Sequence, residues 1–134
     1  MSNTIEADPL VEAARQAAHN AYCKYSGFRV GAALIDDNGR QFAGCNVENA
    51  SLGLSICAER AVIFAAIAAG ARKIRRMAVS CRSGDAESPS TLMPCGACRQ
   101  VIAEFVTPDF MLLVDGVGTL TISELLPLPF QSRR

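Results

Sequence analysis

The sequence predicts a three-layer α/β domain, with a mixed sheet between helices on both faces. Three observations carry this. An apolar stripe at helical spacing near the N-terminus gives way to a period of two that turns back on itself as a hairpin. An alanine-rich stretch of helical length follows, and after it come a strand, a helix and a second strand in that order, which implies a parallel crossover.

In chain order, "DPLVEAARQAAHNAY" opens with Asp8 as N-cap and Pro9 at the first helical position, and Leu10, Ala14, Ala17, Ala18 and Ala21 form the apolar stripe. From Phe28 the pattern alternates, with Phe28, Val30, Ala32 and Leu34 on one face and Arg29, Gly31, Ala33 and Ile35 on the other. "DDNG" at 36–39 supplies turn chemistry, and "RQFAGCNV" returns as the partner strand. The segment from about Ile56 to Ala69, stopped by Gly70, is apolar nearly all round and predicts a helix buried against more than one neighbour. "RRMAVSCR" and "DFMLLVDG" read as two further strands, the second without alternation and therefore central, joined by a helix from near Pro94 to Phe105.

Length and composition bound the function. A chain of 134 residues, half of them hydrophobic, fits one domain over 1–134, with about seven N-terminal and about four C-terminal residues expected to be flexible. The 13 basic and 13 acidic residues cancel, so no overall positive field gathers a nucleic-acid polymer. "ARKIRR" at 71–76 reads as helix-end charge compatible with the dipole. Acidic residues stand where a secretory signal has a basic region, and every apolar run is broken within about ten residues, so neither export nor a membrane is expected and a cytoplasmic location is. In that setting six cysteines point to thiols held by a metal before they point to disulfides.

Cys95 and Cys98 have C-x-x-C spacing at a predicted helix start, which puts both sulfurs on one side of the first turn, near the positive end of the dipole. Alone the pair is ambiguous among zinc ligand, redox dithiol and chance. Cys57, in "SICAER", lies at a second predicted helix start, and two such ends meeting across a sheet bring three thiolates to one ion. Zinc suits that set, and three protein ligands leave one position to water. Glu59 is the carboxylate nearest in sequence to exchange protons there. Cys23, Cys45 and Cys81 remain, and the sole histidine, His19, is expected at the surface.

Taken together, "YSGFRVGAAL", "GCNVENAS", "CAERAV", "MPCGACRQV" and "ELLP", in this order over about residues 22–130, resemble the short homotetrameric zinc-dependent cytidine deaminases. The resemblance implies a three-layer α/β/α cytidine deaminase-like fold around a mixed sheet of about five strands, with one Zn2+ per subunit held by Cys57, Cys95 and Cys98. It implies hydrolytic deamination of cytidine and deoxycytidine, a small nucleoside substrate, as part of pyrimidine salvage. Glu59 becomes the proton carrier and Arg60 a guanidinium that offsets thiolate charge. Phe28, Asn46, Glu48 and Ala58 become substrate contacts, the ring bordering the pyrimidine and the amide and carboxylate meeting the ribose. Ala50, Leu52 and Phe130 are implied to reach a neighbouring subunit.

Three positions depart from the family text. Lys24 stands where a proline often precedes Tyr-Ser, Leu52 where an aromatic residue is common, and "QSRR" follows Phe130 in place of a Gly-Pro continuation. They leave open a deaminase for a modified cytosine nucleoside, N4-substituted or blasticidin-like. Two other readings compete: a polynucleotide editor, and a structural zinc module closed by a fourth cysteine, which would leave Glu59 without a task.

Overall fold

The structure is a computed structural model that describes residues 5–83 and 88–134. Helix α1 (Pro9–Ala17) starts where the sequence places it: the Asp8 carboxylate accepts from the Leu10 N–H at 2.9 Å, and Pro9 follows in the first turn. Strands β1 (Gly31–Asp36) and β2 (Gln41–Cys45) form the expected hairpin. Its turn is organised by a buried carboxylate: Asp36 accepts from the N–H groups of Asn38 and Arg40 and from Arg40 Nε at 2.9 Å, while Gly39 takes the positive φ of 81°.

Helix α2 (Ala58–Ala68) ends two residues before Gly70, which takes a left-handed φ of 102° just after the C-cap Ala69. Strand β3 (Ile74–Ser80), helix α3 (Gly96–Phe105) and strand β4 (Val106–Val114) make the parallel crossover. A short edge strand, β5 (Gly118–Thr121), and a one-turn helix, α4 (Ile122–Leu125), complete the chain's regular structure among the described residues. The sheet order is β2-β1-β3-β4-β5, antiparallel except between β3 and β4.

Both faces of the sheet are covered. On one, Leu10, Val11 and Ala14 of α1 pack with Ala33, Ala78 and Leu113. On the other, α2 and α3 bring Val62, Ile63 and Ile102 onto Ala32, Leu34, Met77 and Leu112. Small residues let the helices lie close. A Cβ on Gly31 would sit 1.9 Å from the Ala14 carbonyl oxygen, and one on Gly44 would sit 2.9 Å from the Val62 nitrogen.

Two expectations change. The ladder of β1 begins at Gly31, not Phe28. The Asn46 side chain takes the place of a strand partner there, its Oδ1 accepting from Val30 N–H at 2.9 Å and its Nδ2 donating to the Phe28 carbonyl at 2.8 Å. Helix α2 does pack on more than one neighbour, the sheet and α3, but Phe64, Ala65 and Ala68 on its far side stay exposed within one chain. No helix among the described residues is long and apolar enough to cross a membrane.

Candidate metal centre and substrate pocket

The site forms where the N-termini of α2 and α3 meet beside the C-terminal end of β3. Each helix is capped by a cysteine that makes no side-chain capping bond, Cys57 for α2 and Cys95 for α3, so both sulfurs remain available to an ion. Pro94 lies just outside α3 and not in its first turn. Cys98, in that turn, is buried. Cys57 is presented by a short bridge, with Val47 and Ile56 exchanging N–H to carbonyl bonds of 2.9 Å.

The three sulfurs lie within 4.8 Å of one another, and those of Cys95 and Cys98 are 3.5 Å apart. Two thiolates on one tetrahedral zinc, with Zn–S near 2.3 Å, stand about 3.8 Å apart, so the donor set fits that ion. Among the described residues this group has three members, and a fourth cysteine does not close it. Cys57 is shifted toward its thiolate: a hydrogen bond from the Cys98 thiol, outweighing burial and joined by the Arg60 guanidinium, lowers its pKa to about 5. Cys98 is pushed upward by the same hydrogen bond, by burial and by the nearby Glu59 carboxylate. A dication would relieve this competition by taking all three as thiolates. Arg60 Nη2 lies 3.4 Å from the Cys57 sulfur.

Beside the sulfurs, Glu59 is only 4% exposed, and burial raises its pKa to about 7, where it can both hold and release a proton near neutrality. It opens into a pocket of about 280 Å³, near the lower end of the range for small-molecule sites. Phe28, Asn46, Glu48, Cys57, Ala58 and Cys95 line the same pocket. Phe28 is 51% exposed and so forms a wall, not core. A larger recess of about 380 Å³ lies elsewhere, among residues of α1 and Arg82, but it contains no thiol and its Arg15 and Arg82 are paired with Asp115.

The family model for the cytidine and deoxycytidylate deaminase zinc-binding region matches residues 5–114. The chain belongs to this deaminase family. It is 46% identical over 118 residues to a cytidine deaminase of Mycobacterium tuberculosis, covering 87% of this chain and 84% of that one. With a cytidine deaminase of Sporosarcina psychrophila it shares 38% over 130 residues, 94% of this chain and 92% of the relative. The crystal structure of a cytidine deaminase from Burkholderia pseudomallei superposes with a TM-score of 0.80 at 43% identity, covering 90% of this chain and 96% of that one. The three-layer fold with its five-stranded mixed sheet is therefore the fold of the family.

The deaminase pocket also contains groups that the sequence reading did not single out. Ser26 donates its hydroxyl to Glu48 Oε2, and Glu48 Oε1 accepts from the N–H groups of Tyr25 and Ser26. The same hydroxyl accepts from Phe28 N–H at 3.0 Å, so Glu48, Ser26 and Phe28 form one relay. Ser26 lies inside the "YSGFRVGAAL" stretch, where a serine before glycine reads by itself as turn chemistry. Leu92, Met93 and Cys81 complete the wall. Ala50, Leu52 and Phe130 lie outside the pocket of their own chain and are exposed, Leu52 by 85% and Phe130 by 77%.

Proposed function

We propose that this deaminase hydrolyses the 4-amino group of cytidine and deoxycytidine, adding water at C4, breaking the C4–N bond, and giving uridine or deoxyuridine and ammonia. The observation that carries this reading is the convergence of a three-sulfur cluster and a buried, near-neutral Glu59 in one nucleoside-sized pocket.

Cys57, Cys95 and Cys98 would hold zinc, which when bound would supply the Lewis acidity that activates water. Glu59 passes a proton to ring N3 and returns one to the departing amine, a role that suits a carboxyl whose burial lifts it to about 7. Ala58 contributes an N–H from the first turn of α2, where backbone donors have no partner inside the helix. Phe28 borders the pyrimidine. Glu48 and Asn46 face the ribose, and they also hold the loop that carries Phe28, so recognition and loop order share the same side chains.

The reading extends to a cytoplasmic homotetramer serving pyrimidine salvage, in which the exposed apolar side of α2, with Leu52 and Phe130, meets neighbouring subunits. Analytical ultracentrifugation at assay concentration should give four times the chain mass; a monomer with full activity would exclude the tetramer as a requirement.

Loss of cytidine absorbance on adding purified protein, abolished by a zinc chelator and restored by zinc, is the test of the reaction. Deoxycytidine, N4-alkylcytidines and a cytosine oligonucleotide run alongside it. Turnover of N4-alkylcytidine with negligible turnover of cytidine would overturn the substrate assignment.

A further inference from the structure

We propose that Arg99 is a positioning residue for the metal centre, bracing the main chain on both sides of Cys95 and tying it to the end of α4. The proposal rests on the reading that Cys95 holds zinc. The three sulfurs are not equally supported. Cys98 is buried inside the first turn of α3, and Cys57 follows the Val47–Ile56 bridge directly. Cys95 is exposed, caps its helix with no side-chain capping bond, and follows an irregular stretch from Leu92 to Pro94.

Arg99 meets both peptide carbonyls that bracket the Cys95 Cα. Its main-chain N–H donates to the Cys95 carbonyl at 3.0 Å, as the helix requires, and its side-chain Nε donates to the Pro94 carbonyl at 2.9 Å. With both carbonyls held by one residue, the Cα–Cβ direction that aims the Cys95 sulfur has little freedom. The far end of the guanidinium is anchored as well, Nη1 donating to the Leu125 carbonyl at 2.9 Å. Leu125 is a core residue at the end of α4, and α4 is fixed at its start by a capping box between Thr121 and Glu124. The brace therefore runs from the metal loop to the core beneath the C-terminal segment.

Arginine fits this task because its planar fork donates in two fixed directions at once; a lysine ammonium is a mobile point charge that does not reproduce both bonds with the same rigidity. The neighbouring Gln100 supplies an internal control. Its amide forms two bonds of 3.2 Å with the main chain of Phe130, so it fastens the tail without touching the Pro94–Cys95 peptide.

The test uses the full chain as wild type and as Arg99→Ala, Arg99→Lys and Gln100→Ala. Zinc affinity is read by competition with a chromophoric chelator at 25 °C, ligand geometry from the visible bands of the cobalt-substituted protein, and folding from circular dichroism of the metal-free forms. Arg99→Ala should weaken zinc binding about 10- to 100-fold, the usual cost of removing a group that orients a ligand, and should alter the cobalt bands. Arg99→Lys should recover part of the loss, and Gln100→Ala should stay within about twofold of wild type, in the range expected where ligand orientation is untouched. Wild-type affinity and cobalt bands in a folded Arg99→Ala protein would overturn the proposal, as would an equal loss in Gln100→Ala. If Arg99→Ala does not fold, Arg99→Lys decides, and wild-type affinity and bands in that variant overturn the brace. Failure of the wild type itself to bind zinc, or unchanged binding in Cys95→Ala, would instead overturn the metal reading on which the brace depends.

Discussion

Arg60 approaches Cys57 from within the same helix, Nη2 to sulfur 3.4 Å, while its Nε is buried with no partner among the described residues. Three thiolates on a dication leave a net charge of about minus one, which weakens the metal as a Lewis acid, and a guanidinium donating to a thiolate moderates it. Replacing Arg60 by Gln should lower kcat/KM by about 10- to 100-fold with zinc still bound. Steady-state kinetics together with metal content per chain check this; unchanged kcat/KM would leave Arg60 a purely structural residue.

Glu59 is separated from Cys57 by one residue, a spacing that in mid-helix would turn the two side chains away from each other. At the helix start they serve one pocket instead, Cys57 as cap and Glu59 as the second helical residue. Glu59→Gln retains shape and burial but neither accepts nor delivers a proton. Turnover should fall about 10²- to 10⁴-fold, the range for general acid–base groups, with fold and zinc content retained. An active Glu59→Gln enzyme would remove the proton carrier from the mechanism.

How much of this was legible in the chain varies with how local each signal is. The helix starts at Cys57 and Cys95, the "DDNG" hairpin and the β3-α3-β4 crossover are written in contiguous residues; the hairpin and crossover form as the sequence predicts, and the two helices start within two residues of where it placed them, each cysteine outside as the cap. Strand β5 is four residues long and starts at the positive-φ Gly118, two residues after the positive-φ Gly116, too short for period two to stand out from turn chemistry. Phe28 reads as strand because its neighbours alternate, but a long-range amide, Asn46, takes over the pairing. The Glu48–Ser26 contact joins residues 22 apart and leaves no periodic trace.

That contact predicts a kinetic split. Glu48→Ala removes three hydrogen bonds from the Tyr25–Ser26 turn and so loosens Phe28, without touching the sulfurs or Glu59. Hydrogen bonds to a charged group are worth about 1.5–3 kcal/mol, so KM should rise by about tenfold or more while kcat changes much less. A drop confined to kcat would contradict this assignment.

Gly31 shows how tightly α1 lies on the sheet. Its added Cβ would meet main-chain atoms at the C-terminal end of α1, the Ala14 oxygen at 1.9 Å and the Ala18 nitrogen at 2.5 Å, and helix backbone does not yield as a side chain would. Gly31→Ala should cost about 3 kcal/mol, the upper end for overpacking, seen as a lower urea midpoint at unchanged slope. Stability equal to wild type would mean that α1 shifts freely.

Asp115 ties α1 to the sheet ends and sets an acid limit on stability. Arg15 reaches it with two bonds, Nε at 2.9 Å and Nη2 at 2.8 Å, and Ser80 Oγ adds a third at 2.7 Å. The Arg15 hydrogen bonds, outweighing burial and joined by Ser80, hold the Asp115 carboxyl below its ordinary pKa. A depressed folded-state pKa means that the unfolded chain takes up the proton first as pH falls. The contribution of Asp115 is thus complete above the unfolded value of about 3.9 and is lost as pH drops through the lower folded value. Asp115→Asn should therefore be destabilised relative to wild type by an amount that is constant from pH 7 to about 5 and shrinks below about pH 4. Urea unfolding of both proteins across that range measures it, and a gap that widens on acidification would contradict the assigned direction.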